Sequence, residues 1–395
     1  MLHARSLGPL VKTRAIDLIT TTAPNVGRVL LSCETKVFGA KGAAMKIIGC
    51  DFHPAFQQIA MLEVDSGKRM GRRLEHASGE AERFYRGLAG ERVLVGVESS
   101  GNMQWFERLL AELRVELRIG DAAKIRASEV RRQKTDRRDA ERLLELLETG
   151  KFPAIWVASA GERDLRQLLQ HRHKLVQMQT RIKNQLQHVA MNQGLQKKRQ
   201  LWTRQGQQWL RELALPRWTD RRREDLLALL RGLEPAIAEL TGAVEAAAAA
   251  DPRARLLQTH PGVGPITALA FVLVIGDVER FACSGKLCSY LGLIPSEESS
   301  GQRRRLGSIS KQGNPLLRTL LVEAGQTASR YDPELRRCYQ RLCHRKQYTG
   351  IGKVMVARKL AVRLYWMWKS QQPYVPARMQ GSPSHPVSAQ VSSSL

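Results

Sequence analysis

Four carboxylates in the first half of the chain lie where a metal-dependent phosphodiester chemistry requires them. Asp51 ends the apolar run that begins at Met45, and Glu98 ends a second run that begins at Val93. Both runs have the composition of buried strands, so each acid is predicted at the carboxyl end of a strand, where α/β proteins form their sites. Asp136 and Asp139 are spaced i, i+3 at the start of a predicted helix, which puts them on one face.

This set of acids predicts a divalent metal site. Clustered carboxylates repel one another unless a cation holds them together. Oxygen ligands suit Mg²⁺ or Mn²⁺, and two such ions about 4 Å apart can hold a phosphodiester during in-line displacement. Each acid alone also has a structural explanation, as a turn residue after a strand or as a favourable charge in the first turn of a helix. Only the whole set, in the order strand, strand and helix, favours catalysis.

The charge of the chain indicates a polyanionic partner. Its 395 residues include 63 Lys and Arg against 37 Asp and Glu, a formal net charge of +26. Nucleic acid is the leading candidate. A membrane surface is the alternative, but no apolar segment approaches the ~20 residues that span a bilayer. The basic residues are also spread over several elements instead of one amphipathic helix, so no membrane partner is expected.

The cysteines favour a reducing compartment. Six cysteines are too few for a disulfide scaffold in a chain of this length, and no convincing signal peptide precedes them. The pairs Cys283/Cys288 and Cys338/Cys343 are spaced too widely for a typical structural zinc site and are expected to be ordinary thiols. The cysteine content therefore predicts a protein of a reducing cytoplasm.

Apolar periodicity divides the chain into five regions. Residues 1–44 lack periodicity and are either an over-long gene start before Met45 or a flexible basic arm. Residues 45–155 read as three strands followed by β/α alternation, the α/β ribonuclease-H-like (RuvC-like) arrangement. Residues 156–250 predict two long helices, a coiled coil that folds back on itself or pairs with another subunit. Residues 251–374 predict a mainly α domain, and the Pro- and Ser-rich residues 375–395 a disordered tail.

Within the first domain the pattern predicts individual elements. The strands are expected at 46–51, 57–64, 69–76, 93–98 and 115–119, and the helices at 79–89, 103–114 and 136–149.

Several basic or glycine-rich segments are candidates for holding nucleic acid. A basic loop or short helix precedes the paired aspartates and is a candidate for phosphate contacts. The turn that begins at His260 resembles a helix-hairpin-helix, whose glycines let a phosphate approach the backbone amides at a helix start. Three tryptophans among basic side chains either stack on unpaired bases or pack internally. The residues are Lys124, Arg126, Arg131, Arg132 and Lys134 in the loop, Gly262 and Gly264 in the turn, and Trp202, Trp209 and Trp218 between the long helices.

A second block, Gly292 to Asn314, is dense in hydroxyls, glycines and cations. A serine beside Gly301 is sterically open to act as a nucleophile. The neighbouring cations can bind the phosphate it attacks and stabilise the charge that develops. On physical grounds alone, a basic loop that grips DNA without chemistry explains the block better. The cations are Arg303, Arg304, Arg305 and Lys311.

Taken together, these motifs resemble the insertion-sequence transposases of the "one-ten" family, DEDD recombinases with an added C-terminal serine domain. The resemblance rests on the four acids, on Pro261-Gly262-Val263-Gly264 and on the block after Gly292, and it extends from Met45 to about Tyr374. It implies that the acids form a RuvC-like metal site and that Ser300, the serine before Gly301, attacks DNA to give a covalent protein–DNA link. It also implies donor and target DNA as substrates and a structured bridge RNA as guide. A bacterial cytoplasmic location, with the protein on the nucleoid when it is bound to DNA, is a further expectation from the resemblance.

The identity and activation of the nucleophile stay open in the sequence. Ser299 is the close competitor of Ser300, and the nearest histidines in the sequence are His260 and His344. Because a neutral serine is a poor nucleophile, its activation must come from elsewhere. If Mg²⁺ held by the acids polarises the scissile phosphate, the four acids and the serine block, which are distant in sequence, form one composite site.

Strand exchange between two duplexes needs at least two such sites. A homo-oligomer, dimer or tetramer, is therefore expected, with the long helices as its interface.

Two other functions are alternatives to a transposase. The first is a metal-dependent RuvC-like nuclease of the junction-resolving type, which leaves free DNA ends. The second is a nucleic-acid-binding protein without catalysis.

Overall fold

The computed structural model describes residues 45–128, 135–194, 200–297, 305–346 and 349–376. They form two compact units, divided between Val157 and Ala158. The first unit combines a sheet with helices, and the second is almost entirely helical. The coarse prediction of a mixed α/β N-terminal domain and a helical C-terminal region is confirmed, while the finer division of 45–374 into domains stays a prediction.

The first unit contains every strand and helix that the sequence predicted there. Observed strand ends differ from the predicted ones by no more than one residue, and helix ends by no more than three. The short helix α3 (Ala122–Ala127) lies in the segment where the sequence predicted a basic loop or a short helix. The strands are β1 (Met45–Phe52), β2 (Phe56–Glu63), β3 (Arg69–Glu75), β4 (Arg92–Glu98) and β5 (Glu116–Gly120), and the helices are α1 (Glu80–Arg86), α2 (Gln104–Glu112), α3 (Ala122–Ala127) and α4 (Asp136–Glu148).

The five strands form one sheet in the order β3-β2-β1-β4-β5. The first three strands are paired antiparallel, whereas β1, β4 and β5 are parallel. Alternation along each strand divides the side chains between two faces. One face packs Ile48, Val95 and Val97 in the cluster that contains the α1 and α2 side chains. The other face packs Ile47 and Leu94 against α4.

Helix α4 lies unusually close to the centre of the sheet. A Cβ atom on Gly49 would lie 2.3 Å from the carbonyl oxygen of Ala140 and 2.4 Å from the amide nitrogen of Leu144. A Cβ on Gly96, the parallel partner of Gly49, would lie 2.6 Å from Leu147 Cδ1. The missing side chains in the two central strands are therefore what lets the helix backbone rest directly on the sheet.

We expect Gly49→Ala to destabilise the first unit by about 1–3 kcal/mol, because the added methyl group would overlap the backbone of α4 and push the helix away. Gly71→Ala is the matched control, since a Cβ there would come no closer than 3.7 Å to another residue, at Ile59 O. Urea unfolding followed by circular dichroism measures both. Equal stability of the two variants would contradict this account of the packing.

The second unit is built on two long antiparallel helices, α5 (Ala160–Asn192) and α7 (Arg217–Ala250). At one end of the pair, towards the end of α5 and the start of α7, Ile182 and Leu186 of α5 pack with Leu226 of α7. At the other end, Leu169 of α5 shares a core with Val244 of α7. The helices thus fold back on each other, one of the two predicted outcomes, and their supercoiling stays a prediction.

The remaining helices of the second unit pack around one core. The central helix, α9, is apolar on all sides and is buried along most of its length. The elements are α5 (Ala160–Asn192), α6 (Arg204–Glu212), α7 (Arg217–Ala250), α8 (Pro252–Gln258), α9 (Pro265–Ile275), α10 (Ser284–Tyr290), β6 (Pro295–Glu297), β7 (Leu306–Ile309), α11 (Pro315–Tyr331), α12 (Pro333–Lys346) and α13 (Thr349–Ser370). Among the described residues, no helix is long and apolar enough to cross a membrane.

Candidate functional site

Asp51 and Glu98 lie on the same face and at the same end of the sheet. Cys50 pairs with Val97 in the parallel register of β1 and β4, and the two acids are the next residues along these strands. Each acid is in phase with the glycine that contacts α4, two residues before it, so both face the side of the sheet that α4 covers.

Helix α4 brings Asp136 and Asp139 to this edge of the sheet. The helix begins at Asp136 because Thr135, in extended conformation, caps it with its side-chain oxygen, which accepts from Arg138 N at 3.4 Å. Both acids lie in the first helical turn, where backbone amides favour negative charge. The contact of α4 with Gly49 sets the height of this turn above β1.

A histidine that the sequence analysis did not select joins the aspartates. His53 Nε2 lies 3.1 Å from Asp51 Oδ2 and 3.8 Å from Asp136 Oδ1. One potential ligand atom from each of these three residues lies within 4.8 Å of the others. Its position two residues after Asp51, in phase with that strand, was the available signal. His53 also stacks on Phe56 with ring centroids 4.7 Å apart, which helps to hold its ring in place.

The pKa of Asp51 is raised by its burial and by the neighbouring acids. Burial raises the pKa of the Asp51 carboxyl most, His53 lowers it, and Asp139 and Asp136 raise it further, with a net upward shift. The field of Asp139 thus reaches Asp51. A cation at this position would favour the charged carboxylate and so oppose both the burial and the neighbouring acids that raise the pKa of Asp51.

Glu98 has a basic partner in the same region. Its Oε1 accepts a hydrogen bond from Arg126 Nη2 at 3.4 Å, and the Arg126 side chain is 69% exposed. Arg126 lies on α3, which starts where the Asp121 side chain accepts from the amides of Ala123 and Lys124. One predicted nucleic-acid contact is therefore adjacent to one predicted metal ligand.

We expect Mg²⁺ or Mn²⁺ to raise the melting temperature, because an ion that binds only the folded site stabilises it by about 2.7 kcal/mol at 100 times its Kd. Asp136→Asn should reduce the shift, since it removes one ligand charge. Asp65→Asn, at an exposed acid in the turn after β2, is the control. Differential scanning calorimetry with and without the ion measures both, and an undiminished shift in Asp136→Asn would refute the site.

Several predicted site residues lie outside the described residues. They are Arg131, Arg132, Lys134, Ser300, Arg303 and Arg304, together with the competing Ser299. Among the rest, Lys124 is exposed on α3, and Arg305 and Lys311 are exposed at the two ends of β7.

The two glycines of the predicted phosphate-binding turn have different surroundings. Gly262 has φ +90°, and a Cβ there would lie 2.5 Å from the amide nitrogen of Ala328, so its small size serves packing against α11. Gly264 caps α9 and has open space on its side-chain face. The turn joins α8 to α9 as the hairpin resemblance implies, and Gly264 is the glycine that faces outward.

The histidine of this turn, His260, is buried. Its Nδ1 lies 2.9 Å from Pro261 O, and its ring packs on Tyr374 with centroids 4.4 Å apart. Its Nε2 is buried without a hydrogen-bond partner among the described residues. Burial lowers the pKa of His260 most, and nearby Arg363 lowers it further against the opposing effects of the Pro261 carbonyl and Asp332.

We expect the second unit to lose stability as the pH falls below about 6.5, the ordinary pKa of histidine. The unfolded chain then binds a proton at residue 260 that the native protein binds only at lower pH, so acid favours unfolding. His260→Gln should flatten this dependence, whereas His344→Gln, at an exposed histidine on α12, should not. Thermal unfolding between pH 5 and 7 tests both variants; an unchanged slope in His260→Gln would contradict the assignment.

The tryptophans and cysteines divide between core and surface. Trp202 and Trp209 pack against the apolar cluster between α5 and α7, whereas Trp218 is 74% exposed beside Arg217. Packing therefore accounts for the first two, and Trp218 keeps the surface needed to stack on a base. The described cysteines are free thiols, as expected.

Comparison with known proteins identifies the class. Residues 48–192 match a DEDD transposase model of IS110 elements, and residues 254–340 match the model of the transposase IS116/IS110/IS902 family. The chain is 28% identical over 293 residues to the "Probable family 20 transposase" of Pseudomonas aeruginosa, covering 72% of this chain and 84% of that relative. It is 29% identical over 211 residues to the transposase for insertion sequence element IS1111A of Coxiella burnetii, covering 51% and 57%.

These matches place the chain among the DNA transposases. It belongs to the transposase IS116/IS110/IS902 family, and the predicted resemblance is confirmed at that level. The DEDD model spans the described acids on β1, β4 and α4.

Proposed function

We propose that this transposase cuts and rejoins the donor and target DNA of an insertion sequence, using a divalent metal site and a serine nucleophile. The observation that carries the proposal is the convergence of Asp51, His53 and Asp136, with Asp139 close enough to act on Asp51. The strand order β3-β2-β1-β4-β5 supports a ribonuclease-H-like fold for the unit that holds them.

The donor set suits a small divalent ion. Ligands on opposite sides of Mg²⁺ are about 4.2 Å apart, twice its usual bond length, and the candidate ligand atoms of Asp51, His53 and Asp136 lie within 4.8 Å of one another. The carboxylates favour Mg²⁺, and the imidazole also suits Mn²⁺. Glu98 and Asp139 complete the proposed site. When bound, the metal supplies Lewis-acid polarisation of a phosphate oxygen and charge neutralisation.

The protein's own groups position the DNA strand. Arg126 is held by Glu98 yet mostly exposed, so it can donate to a phosphate that enters the site. His53 is oriented by Asp51 and by its stack on Phe56, which leaves little freedom in its ring. Lys124 and the basic residues 131, 132 and 134 extend the phosphate-binding surface of the first unit in this proposal. Gly264, Arg305 and Lys311 are separate proposed nucleic-acid contacts on the second unit.

Ser300 is the proposed nucleophile. Its Oγ would lose its proton and form a bond to phosphorus as the phosphorus–oxygen bond of the DNA chain breaks. The leaving oxygen takes up a proton and departs as a DNA hydroxyl, so the phosphodiester is kept as a protein–DNA ester for rejoining. The described strands β6 and β7 pair antiparallel on either side of residues 298–304. Arg303 and Arg304 follow the serine in sequence and are proposed to bind the attacked phosphate.

A guide RNA and a second copy of the chain are further parts of the proposal. The net charge of +26 is ample for RNA in addition to DNA. Exposed apolar side chains on the long helices support association, because Met178 on α5 is 49% exposed and Leu229 on α7 is 57% exposed. Both line an apolar groove of about 840 Å³ that a second subunit would cover.

We expect labelled DNA to stay attached to the wild-type protein in a denaturing gel and to be absent from Ser300→Ala. Ser299→Ala is the matched control and should retain linkage. Asp51→Asn should lower the rate of DNA cutting by at least about 100-fold, as expected when a preorganised charge at the reacting phosphate is lost.

Other results would change the assignment in defined ways. An adduct that survives Ser300→Ala and disappears in Ser299→Ala would move the nucleophile by one residue. Metal-dependent nicking without an adduct in any variant would favour the junction-resolving nuclease. Undiminished cutting by Asp51→Asn would refute the metal site.

A further inference from the structure

A row of small residues crosses the sheet of the first unit. Gly49 on β1 pairs with Gly96 on β4 and with Ala60 on β2, and Ala60 pairs with Gly71 on β3. Directly paired residues share a face of the sheet, so the whole row lies on the α4 side. Helix α4 occupies the row at Gly96 and Gly49 but not at Gly71, where a Cβ would meet nothing closer than 3.7 Å.

The uncovered end of the row forms a hollow of about 590 Å³ between α4 and β3. Ala60 and Gly71 line its sheet side, and Leu144 lines its helix side. The volume falls within the range of roughly 300–1,000 Å³ that holds small organic ligands. Gly71 itself is exposed, so the hollow opens to solvent at the edge of the sheet.

Arginines surround the hollow. Four arginines and three acids line it: Arg69, Arg137, Arg138 and Arg142, and Asp139, Glu141 and Glu145. Arg69 joins β3 to the end of α4 through Glu148, at 2.7 Å, and its side chain is still 57% exposed. Arg137 is likewise paired with one carboxylate, that of Glu141, and its side chain is 77% exposed. A guanidinium has five N–H donors, of which one carboxylate takes at most two, so Arg69 and Arg137 keep donors for a phosphate.

The hollow adjoins the candidate metal site. Asp139 lines it and belongs to the same first turn of α4 as Asp136, which lies within reach of Asp51 and His53. A nucleic-acid strand with one phosphate at Asp51 would therefore bring an adjacent nucleotide to the hollow. A base needs a flat surface without projecting side chains, and the row at Ala60 and Gly71 provides one.

We propose that the hollow between α4 and β3 binds an unpaired nucleotide next to the phosphate at the Asp51 site, with the base over Gly71 and its phosphate among the arginines. The inference rests on the proposed function for the position of the scissile phosphate. Such a pocket would hold the strand in one register, and only an unpaired or flipped nucleotide would fit it.

Binding of single strands to the full chain tests the proposal. Fluorescence anisotropy in EDTA compares oligothymidylate with an abasic strand of the same length. Gly71→Leu fills the hollow and should lower the preference for the base-containing strand by roughly 5-fold or more, the usual effect of losing one stacked base. Affinity for the abasic strand should stay within about 2-fold of wild type. Gly161→Leu, at an open glycine on α5, is the control and should change neither.

The outcomes separate the hollow from the catalytic proposal. An unchanged preference in Gly71→Leu, or equal weakening of both strands, would overturn the base pocket. Gly71→Val, which strands accommodate well, replaces the Leu variant if that variant unfolds. Repeating the titration with oligouridylate shows whether RNA or DNA loses more affinity. EDTA prevents metal-dependent cutting during the titration. Asp51 does not line the hollow, so Asp51→Asn should retain the base preference. Normal cutting by that variant would refute the catalytic site alone.

Discussion

The approach of α4 to Gly49 is the contact on which the candidate site depends. Asp51 and Glu98 belong to strands, whereas Asp136 and Asp139 belong to a helix that follows in sequence. Only a helix backbone that rests on the sheet brings the two pairs to one edge. Burial raises the pKa of Asp51 most, and Asp139 and Asp136 add to it, so both the loss of water and the repulsion between acids oppose this arrangement. The apolar packing of Leu144 and Leu147 against the sheet offsets them.

Much of this geometry could be predicted because it follows from short-range rules. The ends of the continuous apolar runs predicted where β1 and β4 end, and helical spacing put Asp136 and Asp139 on one face. His53 was missed because its position two residues after Asp51 is a weak signal, since a single histidine after a strand is common. Its distance of 3.1 Å from Asp51 shows its relation to the acids. The role of Gly262 was likewise invisible, since it depends on Ala328, far along the chain.

The second unit shows where sequence patterns leave alternatives. The apolar spacing of α5 and α7 predicted long helices equally for a hairpin within one chain and for pairing between chains. The packing of Ile182 with Leu226 shows the hairpin, while exposed Met178 and Leu229 leave apolar surface for a partner. Helical periodicity identifies an apolar stripe but not which of two surfaces covers it.

The row of small residues links the stability of the acid site to access for a nucleotide. Gly49 is small so that α4 can approach, and Gly71 is small where no helix covers the sheet. Ala60 lies between them, and only 5% of its surface is exposed. A larger side chain there would press on α4 and would also narrow the hollow. The same row of small residues therefore constrains both the position of α4 and the proposed binding of a nucleic-acid strand. Substitutions that tighten the packing of α4 at Ala60 would act against entry of a base.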